Sequence, residues 1–259
     1  MDIGLKLVTA IRAFFVEIGD LAYFSAQFFK EVFRPPFEFR EFLRQCYSIG
    51  YRSLLLVSVT GFIIGLVFTL QSRPTLEEFG AVSWVASMVS ISIVREIGPI
   101  ITALICAGRV ASGIAAELGS MRVSEQIDAM EVSGTNPFKY LVVTRIGAAT
   151  LMLPLLVILG DAIAIYGSYL VESIKGNVSL QLYLAEVFEA LEFSDIIPAT
   201  IKTFFFGFAI GLVGSYKGYN CKKGTAGVGI AANTAVVYTS MLLFLIDFVA
   251  VFITNIIYH

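Results

Sequence analysis

Apolar residues in this chain fall in long, nearly unbroken runs. A helix that crosses a bilayer needs about 20 consecutive, mostly apolar residues. Five stretches meet that need: 53–72, 79–108, 147–171, 196–216 and 227–257. The first is expected to stop at Arg73-Pro74, because proline lacks the backbone donor that continues a helix. The first 52 residues follow another pattern. Leu5, Val8, Ile11, Phe14, Phe15, Ile18, Leu21 and Tyr23 recur near helical spacing, with Lys6, Arg12, Glu17 and Asp20 between them. That predicts an amphipathic helix lying in the membrane interface, since Glu17 and Asp20 suit a full crossing badly. Pro35-Pro36 should end it, and residues 37–51 predict a second, short interfacial segment. Residues 177–193 are similarly amphipathic. The expected fold is therefore all-α and membrane-embedded. Interfacial elements occupy 1–52 and a five-helix transmembrane unit occupies 53–259.

Charge fixes an orientation on these spans. Residues 1–52 hold Lys6, Arg12, Lys30, Arg34, Arg40, Arg44 and Arg52; 109–145 hold Arg109, Arg122, Lys139 and Arg145; 217–226 hold Lys217, Lys222 and Lys223. The alternate connections hold only Arg73 and Lys175. Cytoplasmic connections are the basic ones, so the N-terminus is expected inside and the C-terminus outside.

Composition agrees. Of 259 residues, 57% are hydrophobic and 15% charged, against about 25% charged in ordinary soluble domains. Net charge is −2 with scattered Lys and Arg, which argues against nucleic acid as a partner. Residues 1–15 show no n-region, apolar core and cleavage site in succession, so no removable signal is expected. Cys46, Cys106 and Cys221 stand apart without metal-type spacing and are expected to pack as small apolar groups. The single histidine is His259, which leaves no basis for a histidine metal site, triad or proton relay.

The chemistry worth weighing is the charge inside the runs. An intramembrane charge costs several kcal/mol and usually faces a cavity or a partner. Arg95 and Glu96 are adjacent and followed by Gly98-Pro99. Pro99 cannot donate to the carbonyl of Arg95, so a bend with a freed carbonyl is expected beside two charges. Two readings stand: a constriction or head-group site, and an interhelical salt-bridge knot. Lys202 and Asp247, on antiparallel spans, reach similar depth and could pair, structurally or at a cavity. Asp161 reads as a hydrogen-bonded structural acid. Gly61-x-x-x-Gly65 and Gly207-x-x-x-Gly211 permit close helix approach.

Between the second and third spans, small residues over 108–116 precede a stripe of Val123, Ile127 and Met130, with Glu125, Asp128 and Glu131 opposite. Gly134-Thr-Asn-Pro137 should terminate that helix. A short amphipathic helix between spans suits docking into another protein's groove, or lying on the membrane, where its acidic face is disfavoured beside anionic lipid.

VREIGPIITALICAGRVASGIAAELGSMRVSEQIDAMEVSGTNPFKYLVVTR (94–145) closely resembles the signature of MlaE-type permeases. YKGY at 216–219, TAGVG at 225–229, NTAVV at 233–237 and LIDF at 245–248 extend the resemblance, which covers roughly residues 40 to 257. The AELGxM, EQIDAxE and Pro137 succession is long and unusual. The basic loop Asn220-Cys-Lys-Lys departs from the family pattern. The resemblance implies the membrane subunit of an ABC transporter in a bacterial inner membrane, moving phospholipids or related lipids. It implies a homodimer, two ATPase subunits that bind ATP and Mg, and a hexameric periplasmic MCE-domain protein. It makes residues 117–134 the ATPase-coupling helix, with Glu117, Met121, Arg122, Glu125, Asp128 and Glu131 in play. The N-terminal helix would meet the membrane anchors of the MCE protein. A lipid cavity at the dimer interface would involve Phe68, Leu70, Gln71, Arg95, Glu96 and Ile97, with Lys202 and Asp247 behind them.

The chain's own residues fit a dependent role. No GxxxxGK[ST] occurs, and Lys223-Gly224-Thr225 has the wrong order, so neither a nucleotide nor another cofactor is expected here. An autonomous channel or secondary transporter is the alternative. It would need polar residues lining several helices and often an internal repeat; such residues are few, and no convincing repeat is seen. A lipid-modifying enzyme lacks a His, Cys or acidic metal constellation.

Overall fold

A computed structural model describes residues 2–222 and 224–258, without the side chains of residues 2–11, 13, 14 and 258. The side chains of Leu5, Lys6, Val8, Ile11 and Phe14, and with them that part of the apolar stripe, therefore lie outside what is described, as do residues Lys223 and His259.

Among the described residues eight helical elements follow in order: α1 (Asp2–Val32), α2 (Phe39–Glu78), α3 (Val82–Val123), α4 (Gln126–Val132), α5 (Phe138–Gly176), α6 (Leu180–Ala190), α7 (Phe193–Tyr219) and α8 (Thr225–Tyr258). Helices α2, α3, α5, α7 and α8 are each long and apolar enough to cross a membrane. They define an end of the bundle that carries α4 and an opposite end that carries α6.

Two helix limits differ from expectation. Residues 39–52 form no separate interfacial segment; they are the first turns of α2, and the expected boundary at 52 falls inside that helix. Nor does Arg73-Pro74 end it, since α2 continues to Glu78. Tertiary contacts outweigh the missing proline donor. Arg73, 6% exposed, donates to Glu172 of α5 at 2.5 Å, and Thr69 Oγ1 donates to Ser168 Oγ at 2.6 Å. Tyr183 of α6 donates to the same Ser168 oxygen at 2.7 Å, tying three helices together.

Small residues set the seams. A Cβ on Gly61 would stand 2.7 Å from the carbonyl oxygen of Gly160, and one on Gly65 would overlap that of Ala164. Gly207 and Gly211 meet the backbone of α5 just as closely. Both GxxxG matches are thus packing sites, with α5 as the common partner. The main core joins α2, α3, α5, α7 and α8 through Val57, Leu118, Leu141, Phe206, Ile210 and Leu243.

Helix α1 buries Phe24 and Phe28, with Leu21 beside them, against Phe138, Val142, Ile146 and Leu212. Phe15, Ile18 and Tyr23, expected on the same stripe, are exposed. The buried face is therefore rotated toward residues 21, 24 and 28. Glu17 anchors the helix by accepting from Lys217 and, at 2.7 Å, from Tyr238.

Candidate functional site: a charge cluster at a widened helix turn

The cluster is organised by a defect in α3. Residues Ile93–Ile97 form a π turn, closed by the Gly98 N–H donating to the carbonyl of Ile93. Pro99 follows and has no N–H to offer. At the position where the sequence predicts a bend, the helix takes one wider turn that absorbs the missing donor. Such turns recur at functional sites.

The widened turn directs two consecutive side chains at α7. Arg95 Nε lies 3.4 Å from Asp195 Oδ1, and Glu96 Oε2 accepts from Lys202 Nζ at 2.7 Å. Lys202 also donates to Asp247 Oδ1 of α8 at 3.0 Å. Three helices thus meet through two cations and three carboxylates. Lys202 is 4% exposed, so its charge depends on both acceptors. The side chains of Arg95 and Glu96 remain 44% exposed. The space inside the cluster is about 40 Å³, room for water and not for a head group.

Asp195 was not singled out by sequence reasoning. It sits at the third position of α7, where its Oδ2 accepts from the backbone N–H of Glu192 in a reciprocal capping box. The Glu-x-x-Asp spacing before an apolar run was the available signal.

The other expected site residues scatter. Ile97 is half-buried within the π turn. Phe68 packs on Val85, Val89 and Ile93. Leu70 and Gln71 are exposed on α2. One copy of the chain does not bring Phe68, Leu70 or Gln71 into the charge cluster.

Asp161 departs from expectation. Its Oδ1 is buried without a hydrogen-bond partner, and a Cβ at Gly98 would overlap it. It lies on the wall of an apolar pocket of about 320 Å³ between α3, α5, α6 and α7.

At the opposite end, the stretch 117–134 is not one helix. Helix α3 runs on to Val123, Glu125 takes a left-handed conformation with φ 59°, and α4 restarts at Gln126. Gly134, φ 79°, closes α4 as its sequence predicts. Ile127 is fully buried, with Met121 and Met130 packed on the same core. Glu125, Asp128 and Glu131 face solvent. Arg122 pairs with Asp128 at 2.5 Å across the break, and Glu117 pairs with the buried Arg145 at 2.9 Å.

Comparison with known proteins decides the family. The family model described as Permease MlaE matches residues 42–253. The chain belongs to the MlaE permease family. A probable ABC transporter permease protein of Rickettsia typhi is 40% identical over 231 residues, 89% of each chain. A probable ABC transporter permease protein of Synechocystis is 32% identical over 226 residues, 87% of this chain and 86% of that one. The intermembrane phospholipid transport system permease protein MlaE of Haemophilus influenzae is 32% identical over 208 residues, 80% of each. In this MlaE-family permease the matched region contains the π turn, the charge cluster and α4, and leaves α1 outside it.

Proposed function

We propose that this permease is the non-catalytic membrane subunit of an ABC transporter that moves phospholipid between the inner membrane and a periplasmic MCE-domain protein. Two copies flank a lipid path, and a separate ATPase binds ATP and Mg. The N-terminus and α4 face the cytoplasm, and the α6 end faces the periplasm. The observation that carries the reading is the ionic latch of Glu96, Lys202 and Asp247 at the π turn, with the Arg95 guanidinium half-exposed beside it. The exposed part of the Arg95 guanidinium suits a head-group phosphate outside the cluster, and the exposed Leu70 and Phe248 suit acyl chains or a second copy.

Coupling follows from continuity. Helix α3 runs from the π turn to Val123, and Arg122 and Ile127 fasten α4 to its end. Pressure on α4 is therefore carried along α3 to Arg95 and Glu96. Re-pairing of Lys202 between its two carboxylates would let α3, α7 and α8 shift without stranding a charge.

The test is gentle extraction of the tagged chain, with identification of copurifying proteins and lipids. An ATPase, an MCE-domain protein and phospholipid are expected. A chain recovered alone, monomeric and lipid-free after crosslinking would overturn the reading in favour of an autonomous channel or carrier.

A further inference from the structure

A cleft of about 300 Å³ opens between α2 and α3 near the α4 end, where the apolar runs of both helices give out. Gln45, Ser48 and Arg52 line it from α2; Arg109, Gly113 and Glu117 line it from α3. Arg109 lies in a second π turn, Ala107–Ala111, and donates to Ser53 Oγ at 2.8 Å. That bond spends one of its five donors. Arg52 is exposed and lies near enough for its charge to act on Arg109. Among the described residues no carboxylate pairs with either guanidinium. Glu117 is engaged by Arg145 at 2.9 Å, and Glu41 by Gln45 at 2.7 Å.

Two like charges sharing a cleft at a membrane boundary repel each other, and an oxyanion bridging them removes the penalty. Three neighbouring features point to lipid as its source. Tyr47 and Tyr51 stack with centroids 5.2 Å apart on the adjoining face of α2, both about two-thirds exposed, as aromatic residues do at head-group level. Leu54 and Leu55, exposed on the next turn, offer a surface for an acyl chain. A Cβ added to Gly113 would meet nothing within 4 Å, so the cleft is open on that side.

We propose that this cleft is a second lipid site, in which Arg52 and Arg109 hold the phosphate of an anionic phospholipid from the leaflet at the α4 end. It lies at the opposite end of the bundle from the Arg95 cluster and depends on no transport step.

Native mass spectrometry of the full chain in detergent tests it, with phosphatidylglycerol, phosphatidylcholine and inorganic phosphate as probes. The wild type should retain phosphatidylglycerol over phosphatidylcholine, and millimolar phosphate should not displace it. R52Q/R109Q should bind phosphatidylglycerol about tenfold more weakly, because charge-assisted hydrogen bonds are lost. Gly113→Leu keeps both charges and fills the opening, so it should lower retention similarly. That variant carries the test if the double substitution does not fold. Equal retention by the wild type and whichever variants fold would overturn the proposal. Displacement by inorganic phosphate would also overturn it, by assigning the arginines to a soluble anion.

Discussion

Lys202 carries its charge at 4% exposure, and its two acceptors come from different helices, Glu96 on α3 and Asp247 on α8. Removing a buried cation strands the carboxylates that faced it. Lys202→Met should therefore cost about 3 kcal/mol of stability, read as a lower melting temperature in detergent. Adding Glu96→Gln and Asp247→Asn should recover part of the loss. Gly98 supplies a second residue-level test. Gly98→Ala would force its methyl against Asp161 Oδ1, an overpacking cost of about 1–3 kcal/mol. In an Asp161→Ala background the same change should cost less in thermal melts, leaving the Ile93 carbonyl oxygen, 3.0 Å from the added methyl, as the remaining close contact. The charges themselves were legible, because Arg95, Glu96, Lys202 and Asp247 interrupt apolar runs. Their pairing was only half legible. Depth along antiparallel helices suggested Lys202 with Asp247, but the third partner, Glu96, depends on a π turn that shifts the register of α3. Asp195 hid because its position at a helix start reads as capping.

Among the elements, α1 is held by an apolar patch, Phe24 and Phe28, and by polar anchors at Glu17 and at Glu31, which accepts from Asn136 at 3.4 Å. Burial pushes the Glu17 carboxyl upward, but the donors Lys217 and Tyr238 outweigh it and hold it below its ordinary value of 4.5. A carboxylate with a lowered folded pKa stabilises the docked helix above pH 4.5, and that contribution is lost as the pH falls through the lowered value. Limited proteolysis within α1 should thus accelerate in acid, and Glu17→Gln should abolish the acid dependence while raising the rate at neutral pH. The rotation of its buried face shows why periodicity was a weak guide here. With Phe15, Ile18, Leu21, Tyr23, Phe24 and Phe28 all apolar, more than one stripe is available, and tertiary contacts such as the rings of Phe138 and Tyr216 decide which is buried. Helix α2 makes the complementary point. Pro74 is a reliable local breaker, but the bonds of Thr69 and Arg73 to α5 come from residues 99 positions away and leave no local trace.

For the whole molecule, the five spans were legible because lipid demands long apolar runs, and the order of long and short connections followed. What lay beyond the sequence was how far the helices extend past the apolar runs, since polar turns obey tertiary contacts. Helix α3, expected to end near 108, continues to Val123. That extension carries α3 to the break at Glu125, beyond which α4 is fastened to the core through Ile127. Under the proposed function, charge reversal at the exposed Glu125 and Glu131 should reduce lipid-stimulated ATP hydrolysis by the assembled transporter severalfold. Reversal at both positions with unchanged hydrolysis would remove α4 from the coupling route. The seam between α2 and α5 has a different consequence. Glycine contacts at 61 and 65, the Thr69–Ser168 bond and the Arg73–Glu172 pair fasten these two helices along their length. Helix α8, by contrast, leaves Phe244, Phe248 and Phe252 exposed on one flank. The pair is a built-in ruler: spin labels on α2 and α5 should keep one separation through an ATP cycle, whereas a label on α8 measured from either should show two.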